Sequence, residues 1–183
     1  MFKQEVLMKK ILAIGASNSK KSINKKFATY VAHKIEEATV TVADLNDLEL
    51  PLYSPDLQVA TGIPENAHRF SALIEDSDGI VLSLAEYNGL MTTAFKNLWD
   101  WTSRIDMKIW KGKPILLMAA SPGGRGGANA LRVTKGLLPH FGGNVIADFS
   151  LPAFHQNFQN DTLINKELAI DLAEKIAAFQ QAI

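Results

Sequence analysis

Three serines, two asparagines and two lysines are packed into the ten residues Gly15-Ala16-Ser17-Asn18-Ser19-Lys20-Lys21-Ser22-Ile23-Asn24. A phosphate needs many hydrogen-bond donors converging on one point. Hydroxyls supply some of them, and the unpaired N–H groups in the first turn of a helix supply the rest, helped by the helix dipole. A plain helix N-cap accounts for Ser22 but not for Ser17 and Ser19. The segment therefore suits a phosphate cradle. It is one residue away from the glycine-rich loop of nucleotide triphosphatases, because Lys20 stands where the second glycine must let the backbone wrap the phosphates. The third apolar run, Gly79 to Leu84, ends in Leu84-Ala85 with no magnesium-binding aspartate beside it. The dinucleotide pattern GxGxxG is absent, and so is the acidic cluster of a receiver domain.

Two further segments have unusual compositions. Ala85-Glu86-Tyr87-Asn88-Gly89 follows the third apolar run, and Ser121-Pro122-Gly123-Gly124-Arg125-Gly126-Gly127 follows the fourth. Glycines permit close backbone approach to a planar ligand, and their N–H groups can bond ring carbonyls. Tyr87 suits stacking on a ring, contact with a neighbouring subunit, or ordinary burial at a sheet edge. The glycine run read alone is equally a flexible turn, and a neutral chain argues against an RGG-type nucleic-acid contact.

These loops need elements to hold them. Ile11 to Ile14 reads as a buried strand. From Ser22 the period changes, and Ile23, Phe27, Val31 and Ile35 mark one face of a helix. Thr39 to Ala43 reads as a second strand, Leu45 to Ile63 as a long loop, and Pro64 to Ser77 as a helix. Gly79 to Leu84 is a third strand, Ala85 to Met91 a loop, and Thr92 to Arg104 a helix with Phe95, Leu98, Trp99 and Thr102 on one face. Pro114 to Ala120 is a fourth strand, followed by the glycine loop and a helix ending near His140. Asn144 to Phe149 is a fifth strand, and Leu168, Leu172, Ile176, Phe179 and Ile183 mark a closing helix.

Strand and helix alternate throughout, which predicts an α/β fold with a parallel sheet between two helical layers. Five strands favour the flavodoxin-like three-layer sandwich in order 2-1-3-4-5. Ligands then bind at the carboxyl ends of the strands, the edge where all three unusual loops lie.

Composition sets outer bounds. The 183 residues suit a single domain over 1–183, with 1–8 an N-terminal extension and Met8 an alternative start. Lysine plus arginine balance aspartate plus glutamate, 19 against 19, so nothing calls for a nucleic-acid or anionic-membrane partner. The absence of cysteine excludes disulfides, thiolate metal sites and cysteine nucleophiles, and fits a reducing cytoplasm. The Ile11 to Ile14 run is too short for a signal or membrane segment. His33, His68, His140 and His155 form no metal-ligand spacing. Trp99 reads as core, while Trp101 and Trp110 suit packing or a subunit interface. Asp148 to Asn160 suits a lid or a dimer contact.

Taken together, the motifs resemble the NADPH-dependent FMN reductase family, which includes quinone, azo-dye and chromate reductases. The family's Gly-Ser-x-Arg-x-x-Ser-x-Asn is Ala16 to Asn24 here, with Ala16 for the glycine and Ser19 for the arginine. Its Pro-Glu-Tyr-Asn-Gly is Ala85 to Gly89. Its Leu-Lys-Asn-x-x-Asp-Trp is Phe95 to Trp101, and its Ser-x-Gly-x-x-Gly-Gly is Ser121 to Gly127.

The resemblance implies that Ser17, Ser19, Ser22, Ile23 and Asn24 surround the phosphate and ribityl chain of FMN, with Lys20 or Lys21 substituting for the family arginine. It implies that Glu86, Tyr87, Asn88 and Gly89 line the isoalloxazine, mainly through backbone groups, and that Ser121, Gly123 and Gly124 meet its other edge. The implied enzyme passes hydride from NADPH or NADH to flavin N5, and then electrons to a small-molecule acceptor: a quinone, flavin, azo compound or metal oxyanion. No side chain is then an essential acid or base. Arg104 and Arg125 are candidates for a 2′-phosphate. A homodimer or homotetramer, with no nucleic-acid or membrane partner, is the expected state. A carrier flavoprotein without pyridine-nucleotide activity is the alternative, disfavoured by the chain's neutrality.

Overall fold

The computed structural model describes residues 8–183. The expected extension at 1–8 lies outside them apart from Met8, which is exposed. The chain runs β1 (Lys9–Ala16), α1 (Ile23–Ala32), β2 (Ala38–Ala43), α2 (Pro55–Thr61), α3 (Glu65–Glu75) and β3 (Gly79–Leu84). A small hairpin follows, β4 (Glu86–Tyr87) and β5 (Leu90–Met91), then α4 (Thr93–Thr102), β6 (Pro114–Ala120), α5 (Ala128–Leu137) and β7 (Asn144–Leu151). The end of the chain holds α6 (Phe154–Asn157), a second hairpin of β8 (Phe158–Gln159) and β9 (Thr162–Leu163), and α7 (Lys166–Ala182).

The main sheet is parallel, in order β2-β1-β3-β6-β7. This is the expected flavodoxin-like order 2-1-3-4-5, with β6 and β7 as its fourth and fifth strands. Side chains alternate between its faces with the period of two that a strand imposes. Leu12, Ile14, Ile80, Leu82 and Leu117 face one helical layer with Phe70, Ile74, Phe95 and Trp99. Ile11, Ala13, Val81, Leu116 and Met118 face the other, with Phe27, Val31, Leu172 and Phe179. Removing a ring as buried as Phe27 costs about 3–5 kcal/mol.

Several expectations change. The segment from Leu45 to Ile63 is not all loop: it holds a 3-10 turn at Leu45–Leu48 and α2, started by Ser54, whose hydroxyl accepts from Leu57 N. None of α2's residues is buried, so it carries no apolar stripe for a sequence pattern to detect. Ala85 to Met91 is a hairpin rather than an irregular loop. Asn88 and Gly89 form its tip with φ of 53° and 83°, the left-handed pair that Asn-Gly favours. Trp101 and Trp110 are buried within the chain and unavailable to a neighbour. Trp101 Nε1 donates to Pro51 O at 2.7 Å, and Trp110 sits edge-on to Trp99 and Phe70. In the stretch after β7, Phe154 and Phe158 pack into the core with Phe27.

Candidate active site

β1, β3 and β6 end side by side, and three turns leave their carboxyl ends. Gly15 sets the first of them. A Cβ there would overlap Lys25 Cα, so glycine alone lets α1 start directly against β1. The α1 N-terminus is thereby held over the sheet edge. Ser22 caps it, with Oγ accepting from Lys25 N at 3.0 Å.

The three loop serines behave alike. Ser17 Oγ accepts from Ser19 N at 3.2 Å and Ser19 Oγ accepts from Lys21 N at 3.3 Å, as Ser22 Oγ does from Lys25 N. Each hydroxyl thus accepts a backbone N–H two or three residues on, and none donates to an acceptor among the described residues. Ser17 and Ser22 are nevertheless buried, at 4% and 8% exposure. The backbone N–H groups of Ile23 and Asn24, at the first turn of α1, also lack partners among the described residues. All five residues line one cavity of about 190 Å³, with Lys21, Glu86, Tyr87 and Ser121 on its other sides.

Asn24 plays a different part from the one its motif suggests. Its carboxamide is turned into the sheet: Nδ2 donates to Ala120 O at 3.0 Å, while Oδ1 accepts from Ala120 N at 3.0 Å and from Ser83 Oγ at 2.7 Å. The side chain is 2% exposed and committed, leaving only the backbone N–H to face the cavity. Asn24 therefore aligns α1 with the ends of β3 and β6.

The hairpin is anchored in the same way. Glu86 Oε2 accepts from Ala130 N at 2.9 Å, capping the first turn of α5, where a carboxylate also suits the dipole. Its side chain is thus occupied, in keeping with a backbone role at the ring. Thr92 Oγ1 donates to Ala16 O at 3.0 Å and caps α4, tying the hairpin's far end to β1. Asn97 holds the Leu50 to Tyr53 segment through three hydrogen bonds, so this motif residue is a brace. Tyr87 stands 57% exposed at the open rim and is not buried at a sheet edge.

In the third loop the glycines divide. Gly126 and Gly127 have φ of 59° and 78°, and a Cβ on Gly127 would come within 2.9 Å of Ala119 Cβ, so both are fixed by the chain's own packing. Gly123 and Gly124 are not. A Cβ on Gly124 would meet nothing within 4 Å, and one on Gly123 only Ser121 Oγ at 3.8 Å. Their N–H groups have no partner among the described residues. Two glycines that the chain's own packing does not require, carrying free donors at the open edge, fit a close-lying planar ligand. Ser121 is more occupied: its hydroxyl donates to Gly123 O and its N–H to Leu151 O.

Beside the site, the Lys25 ammonium pairs with Asp44. Burial pushes the Asp44 carboxyl up, but hydrogen bonds from Lys25 and from the backbone and side chain of Asn46 outweigh it and hold its pKa below the ordinary value. Lys20 and Lys21 make no ion pair among the described residues, so both remain as cations near the serines. Arg104 is held by Ser103 and stacks over Tyr53, away from such a role. Sequence reasoning passed over Ala85, Ala120 and Pro122, which also line the cavity; only their place at strand ends would have signalled them.

Among the described residues no group of three or more histidines, aspartates or glutamates could hold a metal ion. No helix there is long and apolar enough to cross a membrane.

The sequence matches known proteins along most of its length. The quinone reductase of Escherichia coli is 35% identical over 96 residues, covering 52% of this chain and 51% of that protein, so the chain spans about half the length of this relative. The 2-hydroxy-1,4-benzoquinone reductase of a Burkholderia species is 33% identical over 130 residues, covering 70% and 69% of the two chains. Among solved structures, the flavoenzyme NAD(P)H:(acceptor) oxidoreductase of Paracoccus denitrificans superposes with a TM-score of 0.75 at 29% identity, covering 95% of this chain and 96% of that one. The family model for NADPH-dependent FMN reductases matches residues 9–156. By that match, and by the donor-lined cavity at the sheet's carboxyl edge, the chain belongs to the NADPH-dependent FMN reductase family.

Proposed function

We propose that the chain is an FMN-containing oxidoreductase that takes electrons from NAD(P)H and gives them to a small acceptor of the quinone or azo type. The observation that supports this reading is the convergence of three serine O–H donors and two helix N–H groups, all without an internal acceptor among the described residues, on one cavity. Five donors with no internal acceptor match a phosphate, and Lys21 adds a charge. The cavity, about 190 Å³, suits the phosphate end of the cofactor, and the ring belongs at the open rim between Tyr87 and the Gly123–Gly124 turn. FMN, when bound, supplies the two-electron chemistry that couples NAD(P)H oxidation to reduction of a quinone to its hydroquinone.

The chain's own residues bind and orient. Ser17, Ser19 and Ser22 hold the phosphate, Gly89, Gly123 and Gly124 let the backbone lie close to the ring, and the donors of Gly123 and Gly124 face negative charge at its edge. The exposed Tyr87 and Leu90 favour a second subunit or the acceptor as cover for the ring. A cysteine-free chain that uses NAD(P)H suits the cytoplasm.

An anaerobic titration tests the reading. The purified chain, reconstituted with FMN, should lose its absorbance near 450 nm on addition of NADPH and regain it on addition of benzoquinone. Bleaching by dithionite alone would make it a carrier and contradict the proposal.

A further inference from the structure

Ala153 turns the chain from β7 into α6 with φ of 45° and ψ of 52°, the left-handed region that a residue with a side chain rarely adopts. Such a residue persists only where its surroundings over-determine it. Here they do. Ala153 O accepts from Gln156 N at 2.8 Å and from Asn157 N at 3.1 Å, and Pro152 O accepts from Asn157 Nδ2 at 2.8 Å. Phe154, next in the chain, is 3% exposed and stacks on Phe158 at 5.0 Å.

The strained turn is spent on the glycine loop. Ala153 N donates to Gly123 O at 3.0 Å, and Phe154 N donates to Ser121 O at 3.0 Å. A Cβ on Gly126 would overlap Ser150 Oγ and stand 2.8 Å from Pro152 N, so the loop lies directly against this turn. Gly123 O accepts three hydrogen bonds: from Ala153 N, from Ser121 Oγ at 3.2 Å and from Gly126 N at 3.3 Å. A carbonyl offers two lone pairs, so this oxygen is fully engaged. Of its three donors, Ala153 alone lies outside the loop.

Fixing that oxygen fixes an N–H. The peptide is planar and trans, so the N–H of Gly124 points opposite to the C=O of Gly123. It therefore points away from the Ala153 turn, and it has no partner among the described residues. A donor set in place beforehand costs no reorganisation when charge develops in front of it.

We propose that Ala153 is a positioning residue for the flavin: its left-handed turn holds the Gly123–Gly124 peptide so that the Gly124 N–H meets the edge of the ring where negative charge collects on reduction. The proposal rests on the reductase reading above. It differs from a packing role in one consequence. A preset donor favours the reduced flavin over the oxidised one, and so raises the flavin's potential.

Three variants are compared by FMN affinity and by the two-electron potential of the bound flavin. Valine, branched at Cβ, is excluded from a φ near 45°, so in Ala153→Val the turn must release Gly123 O. Oxidised FMN should bind about tenfold more weakly and reduced FMN about a hundredfold, which lowers the potential by about 30 mV. Ala153→Gly keeps the N–H and suits the left-handed backbone, so it should keep the parent's affinity and potential. Ser150→Ala removes the 3.1 Å bond from its hydroxyl to Gly126 O, loosening the loop without touching the Gly123–Gly124 peptide, so it should also keep the parent's potential. An Ala153→Val protein with the parent's potential, or a Ser150→Ala protein shifted as far as Ala153→Val, overturns the proposal. Amide exchange followed by NMR reads the same geometry in the parent, whether or not Ala153→Val folds. The Ala153 N–H should be protected with and without FMN, and the Gly124 N–H only with it. An unprotected Ala153 N–H, or a Gly124 N–H that FMN does not protect, overturns the proposal as well. A parent that takes up no FMN sinks the reductase reading, whereas one that takes it up and fails these tests loses the positioning role alone.

Discussion

Asn24 and Ala120 form a closed two-bond pair across 96 residues of sequence, the carboxamide of one meeting both the N–H and the C=O of the other. Ala120 is the last residue of β6, so the amide of Asn24 continues the ladder on the β3 side, where the strand pairing ends at Leu84 and Ala119. The same Oδ1 also accepts from Ser83 near the end of β3. One side chain thereby fixes α1, β3 and β6 at the point where the cavity begins. Replacing Asn24 by Ala orphans a buried N–H, C=O and hydroxyl together, and should cost about 2–4 kcal/mol in equilibrium urea unfolding.

The serines separate binding from folding. Ser17→Ala removes a hydroxyl whose O–H has no internal acceptor and whose oxygen accepts only from Ser19 N, an exposed residue that water can serve instead, so it should weaken FMN about tenfold and cost no more than about 0.5 kcal/mol of stability. Ser22→Ala removes a binding donor and a helix cap at once, so it should weaken FMN and also cost about 1 kcal/mol of stability. Fluorescence quenching of FMN, set beside thermal melting, distinguishes the two patterns.

The glycine loop offers a matched pair. Gly127→Ala forces a Cβ against Ala119 at a φ of 78°, and should destabilise the chain by about 1–3 kcal/mol. Gly124→Ala meets open space and should melt as the parent does, yet bind FMN less tightly because the new methyl stands where the ring approaches.

Acid should weaken the Lys25–Asp44 link. The folded pKa of Asp44 lies below its ordinary value of 3.8, because the hydrogen bonds from Lys25 and Asn46 outweigh the effect of burial. The link's contribution is therefore complete above that ordinary value, and is lost as pH falls from it through the lowered folded pKa. Asp44→Asn should narrow the gap in unfolding free energy between pH 6 and pH 3, whereas an unchanged gap would remove the pair from the acid response.

Much of this architecture is legible in the sequence because burial is periodic. Gly79 to Leu84 reads as a strand with the same ends as β3, since a strand buried on both faces is an unbroken apolar run. Ile23, Phe27, Val31 and Ile35 report the buried side of α1 and its continuation. The exposed α2 leaves no such trace, and β4–β5 is signalled only by the Asn88-Gly89 pair. In the site, the serines announce a phosphate by composition. The role of Asn24 is not legible, because its partners lie 59 and 96 residues away and only the fold brings them together. Trp101 and Trp110 are hidden for the same reason: the carbonyl of Pro51 and the ring of Phe70 are tertiary neighbours.

FMN and riboflavin differ only by the phosphate that the Ser17 to Asn24 loop would grip. Titrating the flavin-free chain with each, followed by quenching of flavin fluorescence, compares them directly. FMN should bind tighter by about a hundredfold, the worth of two charge-assisted hydrogen bonds. Riboflavin binding as tightly as FMN would contradict the grip and with it the reading of the site.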